Sequence, residues 1–221
     1  NAASANIVIN GTYFTTNYTS TFAVLSGNNG SIRNGTAAAG TFIAGGSAAS
    51  TFSGNIINGS TGALTFKYTG TGTLTLTGAN TYTGGTTIAT GATLNVSPAA
   101  AANSPLGSGG VITNNGTINI TPATTSGTFL DPDYSWAVAQ TVSGPGAINF
   151  LGGVSMVAPV PGGTTWTFTG TITVASGASL VGNYNFNAAS ANIVINGTYF
   201  TTNFTSTFAV LSGNGSIRNG H

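Results

Sequence analysis

The residues best suited to acid–base chemistry are two aspartates separated by one proline. Asp131 and Asp133 are the only acidic residues of the chain. In an extended segment their side chains would share a face roughly 7 Å apart, a spacing compatible with inverting glycoside hydrolysis. The intervening proline favours a turn instead, and no basic residue stands nearby in sequence. We interpret the pair as part of a solvated loop, with a weak oxygen-ligand Ca²⁺ site and catalysis as the alternatives.

Aromatic residues follow these carboxylates directly. Tyr134 and Trp136 end the segment 129–136, which reads Phe-Leu-Asp-Pro-Asp-Tyr-Ser-Trp. Two neighbouring rings with polar tips offer a stacking platform for a sugar, although the same rings also serve to cover gaps in a core. Tyr134 and Trp136 are therefore candidate ligand contacts.

Other catalytic groups lack their partners. A serine nucleophile needs a base such as histidine. The sole histidine, His221, is the final residue, where it is either natural divergence or the first residue of an affinity tag. Glycine-rich pieces such as 144–146 lack the strand–helix context and the lysine of a phosphate-binding loop. We predict no catalytic, cofactor-binding or metal-ligating residue, and a protein that is not an enzyme.

The composition indicates a neutral chain of the secreted type. Charged residues make up 2% of the 221 residues, hydrophobic residues make up 40%, and the net charge is +1. That charge is too small to favour nucleic acid or anionic lipid as a partner. No cysteine is present, and no apolar run reaches the roughly 18 residues of a membrane span. The chain begins at Asn1 without a signal peptide, and we interpret it as an internal or mature segment of a longer secreted or bacterial cell-surface protein.

A long internal repeat organises the chain. Residues 1–27 recur at 187–213, an offset of 186, and the only difference is Tyr18 against Phe204. The second copy then loses one asparagine and resumes at 215–220. We predict one complete unit, 1–186, followed at 187–220 by the start of a second unit that continues the same stack.

A finer period of strand-like runs lies inside the unit. Runs with an apolar residue at every second place follow Gly30, Gly54, Gly72, Gly91, Gly116, Gly146, Gly170 and Gly215, and another starts at Asn192. The eight steps from the first to the last average about 23 residues, which is typical of solenoids, whereas a propeller blade needs about 40–45. We predict an all-β solenoid with one such run per coil and about eight coils per 186-residue unit.

Alternation assigns the two sides of each run. In 72–78, Gly-Thr-Leu-Thr-Leu-Thr-Gly, Leu74 and Leu76 point to one side and the threonines to the other. The leucines become buried only when the next coil stacks about 4.8 Å away. The outward threonine rows form a neutral surface, for which ice binding is a minor alternative. Lys67 is expected to protect an exposed strand edge.

One segment carries a specific resemblance. Residues 70–112 include Gly-Thr-Gly-Thr-Leu-Thr-Leu-Thr-Gly-Ala-Asn-Thr-Tyr-Thr-Gly-Gly-Thr-Thr-Ile, then Ala-Thr-Gly-Ala-Thr-Leu-Asn-Val, then Asn-Ser-Pro-Leu-Gly-Ser-Gly-Gly-Val-Ile. This segment resembles the autotransporter-associated β-strand repeat of bacterial type V secreted proteins. The resemblance implies a right-handed parallel β-helix, export across a Gram-negative-type envelope, and display at the cell surface or outside the cell. It implies no particular activity.

These observations favour a structural function. We expect an extracellular filament or surface stalk built from tandem units, or from separate copies stacked end to end. The first alternative is an adhesin module that binds carbohydrate or a host surface through 129–136. The second is a polysaccharide-degrading β-helix enzyme that uses Asp131 and Asp133.

Overall fold

The computed structural model describes residues 4–59, 61–97, 106–122, 134–135, 140–157 and 164–220, with backbone alone at 134, 135 and 164. Within these ranges every regular element is a β-strand. The described part of the chain contains no helix of the length and hydropathy that a membrane span requires. The predicted all-β class is confirmed.

Twenty-six strands follow one another along the chain. The first thirteen are Ile7–Val8 (β1), Thr12–Phe14 (β2), Thr19–Phe22 (β3), Leu25–Ser26 (β4), Ser31–Arg33 (β5), Gly40–Ala44 (β6), Ser50–Phe52 (β7), Asn55–Ile57 (β8), Leu64–Tyr68 (β9), Thr73–Leu76 (β10), Thr86–Ile88 (β11), Thr93–Val96 (β12) and Val111–Asn114 (β13). The others are Thr117–Ile120 (β14), Tyr134–Ser135 (β15), Thr141–Gly144 (β16), Ala147–Phe150 (β17), Val154–Val157 (β18), Thr164–Thr165 (β19), Thr167–Phe168 (β20), Thr171–Val174 (β21), Ser179–Gly182 (β22), Phe186–Ile195 (β23), Thr198–Phe200 (β24), Thr207–Ser212 (β25) and Ser216–Arg218 (β26).

The strands form three faces, and every pairing among the described strands is parallel. The first face runs β1-β4 and then β7-β10-β12-β14-β17-β21-β23-β25. The second face runs β3-β6-β9-β11-β13-β16-β20. The third face consists of two pieces, β2-β5-β8 and β15-β18-β22-β24-β26. Since the chain visits the first, third and second faces in turn, each circuit is one coil of a parallel β-helix.

The register of the first face measures the coils. Val8 pairs with Ser26, Gly27 with Phe52, and Phe52 with Leu76. The successive steps are 18, 25, 24, 20, 24, 30, 24 and 21 residues. Eight coils thus span the interval from Ile9 to Ile195, which is the 186-residue offset between the two copies. The predicted coil length and coil number are both confirmed.

The predicted single row of runs is wrong. The runs after Gly30 and Gly54 are β5 and β8 of the third face, and the run after Gly215 is β26 of that same face. The six runs between them belong to the first face. The average of about 23 was nevertheless correct, because Gly30 and Gly215 are equivalent positions of the two copies and the changes of face cancel.

The core is a set of inward rows that repeat from coil to coil. Such a row of fully buried side chains lies on the first face: Leu74, Leu94, Ile118, Ile148, Ile172 and Ile193. Their neighbours in sequence point outward and stay partly exposed, as the alternation predicts. Burial of each such side chain contributes about 1.5–3 kcal/mol. No coil can obtain this contribution alone, because the covering atoms belong to the coils above and below.

Two corners show different reasons for small residues. Gly85 has φ +87° and Asn29 has φ +57°, so both occupy the left-handed region expected of corner residues. Gly30 instead answers a close approach, since a Cβ there would lie 2.2 Å from the Ile9 carbonyl oxygen. The corners therefore let neighbouring coils approach one another as well as reverse the chain.

Candidate functional surfaces

The sides of the stack are neutral. On the first face the outward positions of β10 are Thr73 and Thr75, and the register continues them to Thr93 and Asn95. These hydroxyl and amide groups carry no charge at any physiological pH. The sides can donate and accept hydrogen bonds, but they provide no field that would attract an ion.

Three of the outward residues form an asparagine ladder. Asn119 Nδ2 donates to Asn95 Oδ1 at 3.0 Å, and Asn149 Nδ2 donates to Asn119 Oδ1 at 2.9 Å. The bonds run parallel to the stack axis and reinforce the backbone ladder. Sequence reasoning missed this ladder because its members are 24 and 30 residues apart, and only the register aligns them.

Lys67 lies inside a sheet. Its strand, β9, pairs with β6 on one side and with β11 on the other, and Lys67 is in register with Ile43 and Thr87. The prediction that Lys67 protects a strand edge is therefore wrong. A long flexible side chain tolerates this position because it projects from the face into solvent.

The residues singled out for ligand or metal binding fall on a segment that is described only in part. Asp131, Asp133 and Trp136 lie outside the described residues. Tyr134 belongs to β15, and its backbone pairs with Ser155 of β18 on the third face. Among the described residues no group of three or more acidic or histidine side chains could hold a metal ion. The Ca²⁺ and ligand-contact hypotheses stay predictions.

A buried polar corner connects the three coils around β11. Asn80 Oδ1 accepts from the Ile56 backbone N–H at 2.6 Å. Tyr82 shares a hydrogen bond with Thr86 Oγ1 at 2.5 Å, and Thr86 in turn donates to the Leu106 carbonyl at 3.1 Å. Burial raises the pKa of Tyr82 well above its usual value of about 10, so the phenol stays neutral. This corner satisfies buried polar groups and offers no proton for chemistry near neutral pH.

The two ends of the stack differ from its sides because their apolar residues are uncovered. At the upper end Leu211 is 57% exposed and Ile217 is 51% exposed. Their equivalents in the first copy, Leu25 and Ile32, are 1% and 0% exposed. The sequence is the same, so the difference comes from the coil that covers the first copy.

The upper end also contains a pocket of about 190 Å³. It is lined by Ile195, Leu211, Ser212, Gly213, Gly215 and Ile217. Gly213 corresponds to Gly27, and in the first copy Gly27 is in register with the buried ring of Phe52. The pocket therefore lies where the next coil of the stack places a phenylalanine.

The lower end shows the reverse contrast. Ala5 is exposed and Ile7 is partly exposed, whereas their equivalents Ala191 and Ile193 are fully buried. Ile193 pairs with Ile172 of the coil below. Each copy thus lacks a different neighbour: the first copy has no coil beneath it, and the second has no coil above it.

The comparisons identify the repeat that forms the middle coils. Residues 68–96 match the family model described as the passenger-associated-transport-repeat. The chain carries a passenger repeat. The matched residues run from the end of β9 through β12 and so include the asparagine and tyrosine of the buried corner. The resemblance stated from residues 70–112 is confirmed.

The passenger repeat indicates an autotransporter passenger domain, and this family implies secretion or display at the cell surface. The match covers about one eighth of the chain. No curated protein and no solved structure matches the chain.

Proposed function

We propose that this chain is a structural segment of an extracellular stalk or filament, without catalytic function, whose purpose is to hold its ends apart. The observation that carries the proposal is the register. One row of the first face continues from β7 through the complete unit into β23 and β25 of the second copy. A second unit can therefore extend the same stack without a hinge.

The register also supports a mechanical argument. Backbone hydrogen bonds between successive coils run along the stack axis, about 4.8 Å apart, on three faces. To bend such a stack, bonds must lengthen on one face and compress on another. The asparagine ladder adds side-chain bonds in the same direction. A nearly uncharged surface keeps this resistance to bending almost independent of salt.

Particle length tests the proposal. A chain extended by one more 186-residue unit should lengthen by roughly 40 Å along one axis with an unchanged cross-section, since eight coils rise about 4.8 Å each. Small-angle scattering and electron microscopy measure both quantities. Particles that broaden instead, or that show two bodies joined at an angle, would contradict a continuous stalk.

A second function, carbohydrate or host-surface binding at 129–136, is favoured by the coil lengths. The coil between Ile120 and Phe150 is 30 residues long, whereas the others have 18–25. The surplus residues are those that contain both aspartates and Trp136. Core packing does not require a longer coil, so the excess is available for a ligand.

Paired aromatic substitutions test this second function. Tyr134→Ala with Trp136→Ala should abolish binding to a glycan array if the loop is the contact. Tyr18→Ala is the matched control, because Tyr18 is an aromatic residue that is 71% exposed at the lower end. Equal loss in both variants, or no loss in either, would remove the loop as the binding site.

A further inference from the structure

We propose that the upper end of the stack, residues 207–220, docks onto residues 40–57 of a second copy of this chain and replaces that copy's own residues 1–35. The inference rests on the proposed structural function and specifies its partner. It starts from the two copies of one sequence, of which only the first is covered by a following coil.

The apolar contacts define the partner. In the first copy, β4 and β5 lie beneath β7 and β8, which bury Leu25 and Ile32 completely. The second copy presents the same two side chains, Leu211 and Ile217, half exposed beside the pocket of about 190 Å³. Because the side chains and their spacing are the same, the surface that fits them is the underside of β7 and β8.

The backbone contacts agree with the apolar ones. Ser53 N–H donates to the Gly27 carbonyl at 3.0 Å, and Asn55 N–H donates to the Gly30 carbonyl at 2.9 Å. The equivalent carbonyls belong to Gly213 and Gly215, both of which are exposed. A docked second copy can therefore form the same ladder, which is how an unpaired coil end recruits another strand.

The missing asparagine of the second copy does not disturb this register. Ser31 N–H donates to the Gly11 carbonyl at 2.8 Å, and the equivalent Ser216 N–H donates to the Gly197 carbonyl at 2.9 Å. The deletion shortens the corner between β25 and β26 and leaves β26 in the position of β5. The upper end thus presents the same strands at the same heights as the first copy.

Exchange controls the rate of docking. The incoming segment makes the contacts that the receiving chain's own residues 1–35 already make, so these residues must first detach. Weakening that internal contact should therefore promote association between chains. Weakening the incoming segment should prevent it.

Cysteine cross-linking tests the proposal in the complete chain, which has no cysteine of its own. Ser31 and Asn55 are in register in the first copy, and Ser216 is the equivalent of Ser31. Within one chain β8 and β26 are several coils apart, roughly 30 Å at the coil rise. A Ser216→Cys/Asn55→Cys chain should therefore form only intermolecular disulfides or bismaleimide links. Ser31→Cys/Asn55→Cys is the matched control and should close within one chain.

Two further pairs of substitutions decide the direction. Adding Leu25→Ser/Ile32→Ser should raise the intermolecular yield at least about tenfold, because it releases the competing segment. Adding Leu211→Ser/Ile217→Ser should lower it by a similar factor. The latter two residues are half exposed, so this variant folds and remains informative whatever the former does. A yield that Leu211→Ser/Ile217→Ser leaves unchanged would overturn the proposal.

Failure here is distinguishable from failure of the stalk. Absent intermolecular links with a particle that still lengthens by one unit would reject the docking partner and retain the rigid segment. A particle that does not lengthen along one axis would reject the structural function itself, whatever the cross-linking shows.

Discussion

The two copies of the repeated segment have the same sequence and different surroundings. Leu25 and Leu211 occupy equivalent strands, yet one is buried and the other is 57% exposed. At the lower end the contrast is inverted, since Ile7 is partly exposed while Ile193 is buried. Both copies nevertheless keep the same strands in the same register with their own neighbours.

This comparison separates what a coil determines from what the stack determines. Alternation and corner residues are local, and they produce the same strand–corner–strand path in both copies. Burial is not local, because each inward side chain needs atoms from the coils on both sides. Equivalent substitutions in the two copies therefore measure the stack while they hold the sequence constant.

The largest difference is expected at the upper contact. Leu25→Ala removes a fully buried side chain and should cost about 2–5 kcal/mol in the free energy of unfolding. Leu211→Ala removes one that is already half in solvent, and should cost less than about 1 kcal/mol in dilute solution. Urea denaturation of both variants gives the comparison. Equal costs would show that the second copy is covered by something other than the described coils.

The lower contact should reverse the order of the copies. Ile193→Ala should cost about 2–5 kcal/mol, and Ile7→Ala about half as much, because Ile7 still packs against the core from one side. Hydrogen exchange of β1 and β23 locates the loss as well as its size. The same copy proving more sensitive at both contacts would contradict the picture of two ends with different missing neighbours.

A buried amide gives a smaller contrast. Asn34 is completely buried, and its Nδ2 donates to the Ala38 carbonyl at 2.6 Å and to the Ala63 carbonyl at 3.3 Å. Asn219 is its exposed equivalent. Asn34→Ala should cost about 1–3 kcal/mol, whereas Asn219→Ala should stay within about 0.5 kcal/mol. Thermal unfolding resolves this difference, and a large effect at Asn219 would indicate that a further coil covers it.

The tyrosines add a dependence on pH. Tyr199 donates to Ser206 Oγ at 2.7 Å, and its first-copy equivalent Tyr13 donates to Ser20 Oγ at 3.0 Å. Either Tyr→Phe variant should lose about 0.5–1.5 kcal/mol at pH 7. Burial raises the pKa of Tyr199 above its usual value of about 10, so the folded state favours the neutral phenol. That stability is complete below about pH 10 and is lost as the pH rises further, because the unfolded chain releases the proton first.

Alkaline denaturation measures this effect. Above about pH 10 the Tyr199→Phe variant should become less destabilised relative to the unsubstituted chain, since it has no phenol to ionise. Tyr82 contributes to the same loss in the unsubstituted chain, because burial raises its pKa in the same direction. A gap between variant and unsubstituted chain that widens with pH would contradict the buried neutral phenol.

Much of the fold could be predicted because its signals are local or repeated. Alternation in 72–78 correctly assigned Leu74 and Leu76 to the core, and the duplicated segment gave the coil number through its 186-residue offset. The face to which each run belongs could not be predicted. A run such as 55–57 looks the same on any face, and only the corners before and after it determine its place in the coil.

The functional surfaces were harder to predict than the fold. The asparagine ladder and the buried amide of Asn34 depend on register between distant residues, and an isolated polar residue looks exposed in the sequence. The exposed ends had no signal either, because Leu211 and Ile217 alternate as core residues do. A core pattern indicates that a side chain needs a cover, and the cover itself is a property of the next coil.

The smallest expected effect is also the strictest control on the comparison. Arg33 and Arg218 are equivalent, and both are exposed, so neither depends on the coil above. Arg33→Ser and Arg218→Ser should each change the free energy of unfolding by less than about 0.5 kcal/mol, because a weak hydrogen bond from Arg33 Nε to Ser31 Oγ is the only contact at stake in the first copy. Paired urea titrations at low and high salt check both variants. If Arg33→Ser proved costly and Arg218→Ser did not, outward positions would also sense the stack, and the separation between local pattern and axial neighbour would fail.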